Sequence, residues 1–175
     1  MDSSLHAVSP KPSLAKSAFA AVVTAAIVFA LALLGIFTRA AFDLASLWPA
    51  NAALLGILAI HPKANTALTW ILAAAAYMAA DALTGSELAS AAILNGTNLV
   101  GVATGLACVR LWAPQFFPMR KPSGVVRLFL VIAIASMATG VAGGLVAGPM
   151  LGMDRIDGFF LWSATEFVNY AIFLP

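Results

Sequence analysis

Charge is what this chain has least of. Lys, Arg, Asp and Glu make up 9% of its 175 residues, against about 25% in a soluble domain, while hydrophobic residues reach 62%. That balance excludes an ordinary water-soluble protein. Cys108 is the sole cysteine, so no internal disulfide can form, and its expected role is that of a small buried residue. His6 and His61 are too few and too far apart for a metal or haem site, and no cofactor is expected. The apolar segments do not alternate strictly, which argues against β-barrel strands. Nor do they present a polar face every 3.6 residues, as the helices of a soluble core would.

What is present instead is a series of long uncharged runs. Lys16 to Arg39, Asp43 to Lys63, Lys63 to Asp81, Glu87 to Arg110 and Arg127 to Asp154 each bracket one, and a sixth from Asp157 to Pro175 carries only Glu166. A helix needs roughly 20 apolar residues to cross about 30 Å of hydrocarbon. The expected fold is an all-α, polytopic transmembrane bundle with six spanning helices near 17–36, 46–61, 65–82, 88–110, 125–149 and 157–175. Residues 1–16, polar and with Pro10 and Pro12, read as a disordered cytoplasmic tail ahead of a membrane domain covering 17–175. The first run is too long for a signal peptide followed by cleavage, so an uncleaved first span is expected.

Basic residues set the orientation. Lys11, Lys16, Lys63, Arg110, Arg120, Lys121 and Arg127 fall on or beside the side shared by the tail, the 62–64 turn and the 111–124 loop. Only Arg39 and Arg155 fall on the other, together with Asp43, Asp81, Glu87, Asp154 and Asp157. The tail and the 111–124 loop are therefore expected in the cytoplasm, and an even number of spans puts the C-terminus there too. Pro175 follows an apolar run with no basic anchor, which suggests a chain cut from a longer protein.

Small residues mark the expected helix contacts. Ser136, Gly140, Gly144 and Gly148 recur every four residues on the fifth span, and Gly101 and Gly105 do so on the fourth. Such stripes let backbones approach closely in lipid. Packing within one bundle is the expected use, with a homodimer seam as the alternative.

Polar groups inside a membrane are costly and mark candidate sites. Trp48 and Asn51 open the second span; Tyr77 and Asp81 share a face of the third; Asn95 and Asn98, three apart, share a face of the fourth; Trp162, Glu166 and Asn169 share one on the sixth. On the expected topology Asn51, Asn95 and Glu166 lie on the order of 7 to 15 Å below the outer surface, with Asp81 at the rim. These nine residues form the candidate ligand-binding or signal-sensing set, a polar network or pocket beneath the outer face. Glu166 has no Lys or Arg at its depth, so Asn95, Asn98 and Asn169 are its expected partners, and desolvation favours the protonated acid. A structural hydrogen-bond network is the plainer alternative. Trp48 and Pro49, likewise, would serve equally as an interfacial anchor and a helix start.

Leu47-Trp48-Pro49-Ala50-Asn51, then Ala79-Ala80-Asp81, then Asn95-Gly96-Thr97-Asn98-Leu99-Val100, followed by a basic loop, a Gly-rich span and Trp162 with Glu166, form an ordered series. Over residues 17–175 it resembles the first family of bacterial membrane-associated sensor domains. The resemblance implies a multi-pass sensory input module of the bacterial cytoplasmic (inner) membrane, passing an envelope or membrane signal to a cytoplasmic output domain. Such outputs are diguanylate cyclases, cyclic-di-GMP phosphodiesterases or histidine kinases. Members usually carry more spans than the six counted here, and often have a carboxylate where this chain has Asn98. No cyclase signature, phosphate-binding glycine loop or kinase box is present, nor any nucleophile–base pair or His-Glu zinc motif. The chain itself is therefore not expected to be an enzyme or to bind nucleic acid; its expected partners are the bilayer, an output domain and an unidentified small molecule. The rival reading is the substrate-binding membrane subunit of an energy-coupling-factor vitamin transporter, also a six-span bundle, whose docking stripe Ala21 and Ala25, or Ala26 and Ala30, would mimic.

Overall fold

The computed structural model describes residues 14–38, 47–112 and 122–174. The 1–13 part of the expected tail, the 39–46 connection, and residues 113–121 of the basic loop, with Arg120 and Lys121, lie outside the described residues, as does Pro175. Six helices and no strand occur among the described residues: α1 (Leu14–Phe37), α2 (Pro49–Ile60), α3 (Ala67–Leu83), α4 (Leu88–Trp112), α5 (Pro122–Met150) and α6 (Arg155–Phe173). The first helix takes in Leu14, Ala15 and Lys16, so the expected 1–16 tail is shorter by these three residues. Nothing in those three residues opposes a helix once Pro12 is passed.

Three helices, α1, α4 and α5, are long and apolar enough to cross a bilayer, which marks a membrane protein. The others depart from the expectation of six full-width spans. At 12 residues α2 is about 18 Å long, well short of the hydrocarbon core. Its limits are set by proline. Pro49 occupies the first turn, where its missing N–H costs nothing, and Pro62 follows directly after the last turn. Helix α3 has 17 residues, begins on a Thr66 cap that accepts from the Thr69 N–H at 3.2 Å, and ends before Gly85 at φ 84°.

Short turns at 84–87 and 151–154 fold α3–α4 and α5–α6 into packed antiparallel hairpins, and residues 61–66 join α2 to α3. Helix α1 lies along α3, and its buried stripe of Ala21, Thr24, Val28 and Ala32 faces the slim side of α3 at Ala73, Ala76 and Ala80. Helix α2 is buried almost all round, with Leu54, Leu55 and Leu58 at the centre of the core, touching α1, α4 and α6. The surface is inverted relative to a protein in water. Phe19, Ile71, Leu130 and Phe160 are exposed, whereas Asn51, Asp81, Glu166 and Asn169 are buried. Lipid as solvent accounts for both halves of that inversion.

Glycines decide the remaining contacts. A Cβ on Gly105 would come within 2.8 Å of Leu55 Cδ2, and one on Gly144 within 2.5 Å of the Arg155 carbonyl oxygen. The stripe on α5 therefore packs inside the bundle, with Ser136 buried and Gly140, Gly144 and Gly148 running along α6. Gly101 abuts Thr139 of α5. One feature departs from the four-residue pattern: residues 143–147 form a wider π-helical turn, an insertion that changes the register of the face. It adds Gly143 to the contact, where a Cβ would fall 2.6 Å from Trp162 Cγ.

Candidate functional site

The buried Asn, Asp and Glu side chains lie toward the end of the molecule where α2 starts and α3 ends. Trp48 caps α2, and Asn51 sits one turn in, with 0% of its surface exposed. The Asn51 amide is the hub. Its Oδ1 accepts from Tyr77 OH at 2.6 Å and from Trp48 Nε1 at 3.2 Å, and its Nδ2 donates to Glu166 Oε1 at 2.7 Å. Two donors on the oxygen and one acceptor on the nitrogen fix which way the amide points. A single side chain therefore joins α2, α3 and α6. The indole of Trp48 stacks on Tyr77 at 6.3 Å and 13°, holding the phenol in line with the amide.

Asn169, one turn beyond Glu166, completes the seam. Its Oδ1 accepts from the Trp48 backbone N–H at 2.8 Å, and its Nδ2 donates to the Thr165 carbonyl at 2.9 Å. The first of these satisfies a backbone donor at the start of α2 that the helix itself cannot pair. Trp48 is thus a buried structural element and not the interfacial anchor that its position also allowed; its exposure is 7%. Leu47 and Trp48 run non-helically at this depth, a conformation tolerated in a membrane only where protein surrounds it.

The nine candidates do not form one constellation. Trp48, Asn51, Tyr77, Glu166 and Asn169 make the first group. Asp81 and Asn95 make a second, in which Asn95 Nδ2 donates to Asp81 Oδ2 at 2.8 Å and Ser86 Oγ donates to Asp81 Oδ1 at 3.1 Å. This corrects the expected partners of Glu166. Asn95 is committed to Asp81, Asn169 to the start of α2, and it is Asn51 that holds the acid. Asn98 is half-buried and its side chain makes no hydrogen bond among the described residues. Three positions along a helix turn it some 60° from the Asn95 face, enough to leave the cluster. Trp162 is buried against Gly143 of α5, one turn from Glu166 on the same helix.

Two further members were not singled out from the sequence. Tyr170 lies four residues after Glu166 and is fully buried, with its hydroxyl unpartnered; Ser163, three residues before, is half-buried, and its hydroxyl oxygen is likewise enclosed and unpartnered. The available signal was helical spacing from Glu166, on which all three share one face. Glu166 itself uses only one carboxyl oxygen. Its Oε2 is buried with no hydrogen-bond partner.

Outside the apolar spans, Asp154 caps α6. Its carboxylate accepts from the backbone N–H groups of Asp157 at 2.9 Å and Ile156 at 2.7 Å. Those bonds, that to Asp157 foremost, hold its carboxyl below the usual carboxylate range.

The polar cluster is buried, and its side chains bond chiefly to one another. An open groove of about 400 Å³ lies at the opposite end, between the start of α3 and the end of α4, where Asn65, Trp70 and Arg110 line it. Among the described residues no group of three His, Cys, Asp or Glu side chains could hold a metal. Comparison with protein-family models, with curated proteins and with solved structures finds no match for the chain.

Proposed function

We propose that the chain is an integral-membrane sensory input module that passes an envelope or membrane signal to a cytoplasmic output domain. In this reading all six helices are embedded in a bacterial inner membrane, with both chain ends on the cytoplasmic side. The output is cyclic-di-GMP synthesis or a histidine kinase, and the module itself catalyses nothing. The ordered series from Trp48 to Glu166 supports the kind of module. Charge supports its orientation, because Lys16, Lys63, Arg110 and Arg127 gather at one end and Asp81, Glu87, Asp154 and Asp157 at the other. The short α2 fits if α1, α3, α4 and α6 shield its ends from lipid.

The observation that carries the reading is the unfilled bonding capacity of Glu166. A network built only for stability would use both oxygens of a buried carboxyl, since an unsatisfied one costs about 1–3 kcal/mol. Here Oε2 and the nearby Tyr170 hydroxyl stay open while Oε1 is tied through Asn51 to two other helices. A proton transfer or a donor-bearing ligand at Oε2 changes how strongly α6 is held to α2. A signal acts on such an element only through its different affinity for the two arrangements. Helix α6 then moves relative to the bundle, and the domain joined to it responds.

The test is Glu166→Gln in the full-length protein. The variant keeps shape and hydrogen bonding but cannot ionise, so output locked in one state at normal stability is the expected result. Normal, signal-responsive output from Glu166→Gln would remove the acid from signalling.

A further inference from the structure

The groove between α3 and α4 has a chemistry of its own, separate from the polar cluster. Its polar lining offers donors. Arg110 contributes a guanidinium with five N–H groups and no acceptor. Asn65 has its carbonyl oxygen engaged by Trp70 Nε1 at 2.6 Å, which turns the remaining amide N–H groups to the groove's use. Among the described residues no acid pairs with Arg110. Apart from Glu166, every acid among the described residues lies at the other end of the helices, while Lys63 and Arg127 share this end with it. The site selects an anion.

Below the donors the wall is apolar. Ala103, Ala107 and Leu111 follow at four-residue spacing on the exposed face of α4, with Arg110 beside them. The two alanines recess the wall, and Trp70, in the first turn of α3, flanks the mouth; indole rings favour membrane interfaces. A soluble phosphate would have no use for that slot. We infer that the groove binds an anionic phospholipid, with its phosphodiester on Arg110 and Asn65 and an acyl chain along Ala103, Ala107 and Leu111. Basic pockets between spanning helices recognise charged headgroups in this way, and a planar guanidinium meets a phosphate with two parallel bonds.

Thermal unfolding of the purified protein in neutral detergent tests the assignment, with phosphatidylglycerol, phosphatidylcholine or glycerol 3-phosphate added. Phosphatidylglycerol is expected to raise the midpoint, and the other two are not. Arg110→Gln should weaken the apparent affinity for phosphatidylglycerol roughly tenfold, the loss of one charge-assisted bond pair. Ala107→Phe, which fills the slot and keeps the charge, should weaken it comparably, so the test does not depend on one variant. Arg127→Gln, at the same end but outside the groove, should retain the wild-type response. Equal shifts with phosphatidylcholine, an equal shift with glycerol 3-phosphate, or a wild-type response in either groove variant would overturn the proposal. So would an equal loss in Arg127→Gln, which would mean diffuse attraction to a basic surface.

Discussion

Asn51 and Glu166, 115 residues apart in the chain, meet at 2.7 Å in the buried interior, amide nitrogen to carboxyl oxygen. Asn51 also accepts from Trp48 and Tyr77, so removing it strands three partners at once. Asn51→Leu, close in volume, leaves an indole N–H, a phenol and an acid without their bonds. The expected loss is roughly 2–4 kcal/mol, about one buried unsatisfied group or somewhat more, seen as a lower unfolding midpoint in detergent. A midpoint unchanged from wild type would mean that the network contributes nothing to holding α2, α3 and α6 together.

Glu166→Gln and Glu166→Ala separate charge from shape. Gln can still accept from Asn51 and should unfold near the wild-type midpoint. Ala removes the acceptor and leaves a cavity, and its midpoint should drop by an amount corresponding to a few kcal/mol. Equal midpoints for the two variants would contradict the Asn51 contact.

The α5–α6 seam depends on the absence of side chains. Gly144→Leu places a branched chain where even a Cβ would lie 2.5 Å from the Arg155 carbonyl oxygen. A destabilisation of about 1–3 kcal/mol or more is expected, together with loss of the well-folded fraction in gel filtration. Leu145→Ile, at a position 59% exposed to the surroundings, should be near neutral. Similar melting of the two would show that α6 does not pack on this face.

Orientation is open to cysteine labelling in a Cys108→Ala background. Ser123→Cys, at the basic end, should be protected from an impermeant thiol reagent added to intact cells, whereas Ile156→Cys, at the acidic end, should react. The reverse pattern would invert the topology.

Acid sensitivity should include a contribution from the α6 cap. The Asp154 carboxyl is held below its ordinary value of 3.8 by the Asp157 and Ile156 N–H groups. A group whose pKa falls on folding stabilises the fold at pH values above its unfolded pKa, and that stabilisation fades as pH drops through the folded value. Asp154→Asn keeps an acceptor but loses the titration. Its midpoint should therefore fall less than wild type's between neutral pH and the lower carboxylate range. Parallel acid limbs for both proteins would count against the cap.

Much of the architecture was readable because lipid imposes a simple rule on sequence. Uncharged runs, glycine stripes and the segregation of Lys and Arg from Asp and Glu each report on solvent or on backbone spacing, and neither needs a partner to be known. The helix order, the buried glycine face of α5 and the burial of Glu166 all follow from such local signals. Helix lengths were less legible. Hydrophobicity continues through Leu47 and Trp48, but Pro49 and Pro62 confine α2 to 12 residues, and only their positions relative to the actual caps show it. The wide turn at Gly143–Ala147 has no composition of its own and shifts the register by one residue, bringing Gly143 onto Trp162.

By itself, then, the chain determined that its polar residues must hide from lipid and which helices carry them. It did not determine who pairs with whom. Asn95 and Asn169 were as eligible for Glu166 as Asn51, because an amide at similar depth offers the same donors whichever helix holds it. Tertiary structure decided by direction. The packing of α2 sets Asn51 between Tyr77 and Glu166, the α3–α4 hairpin turns Asn95 to Asp81, and the start of α2 claims Asn169 with its unpaired backbone N–H. Hydrogen bonds are short and directional, so the choice among equivalent partners rests on helix rotations that no single helix encodes.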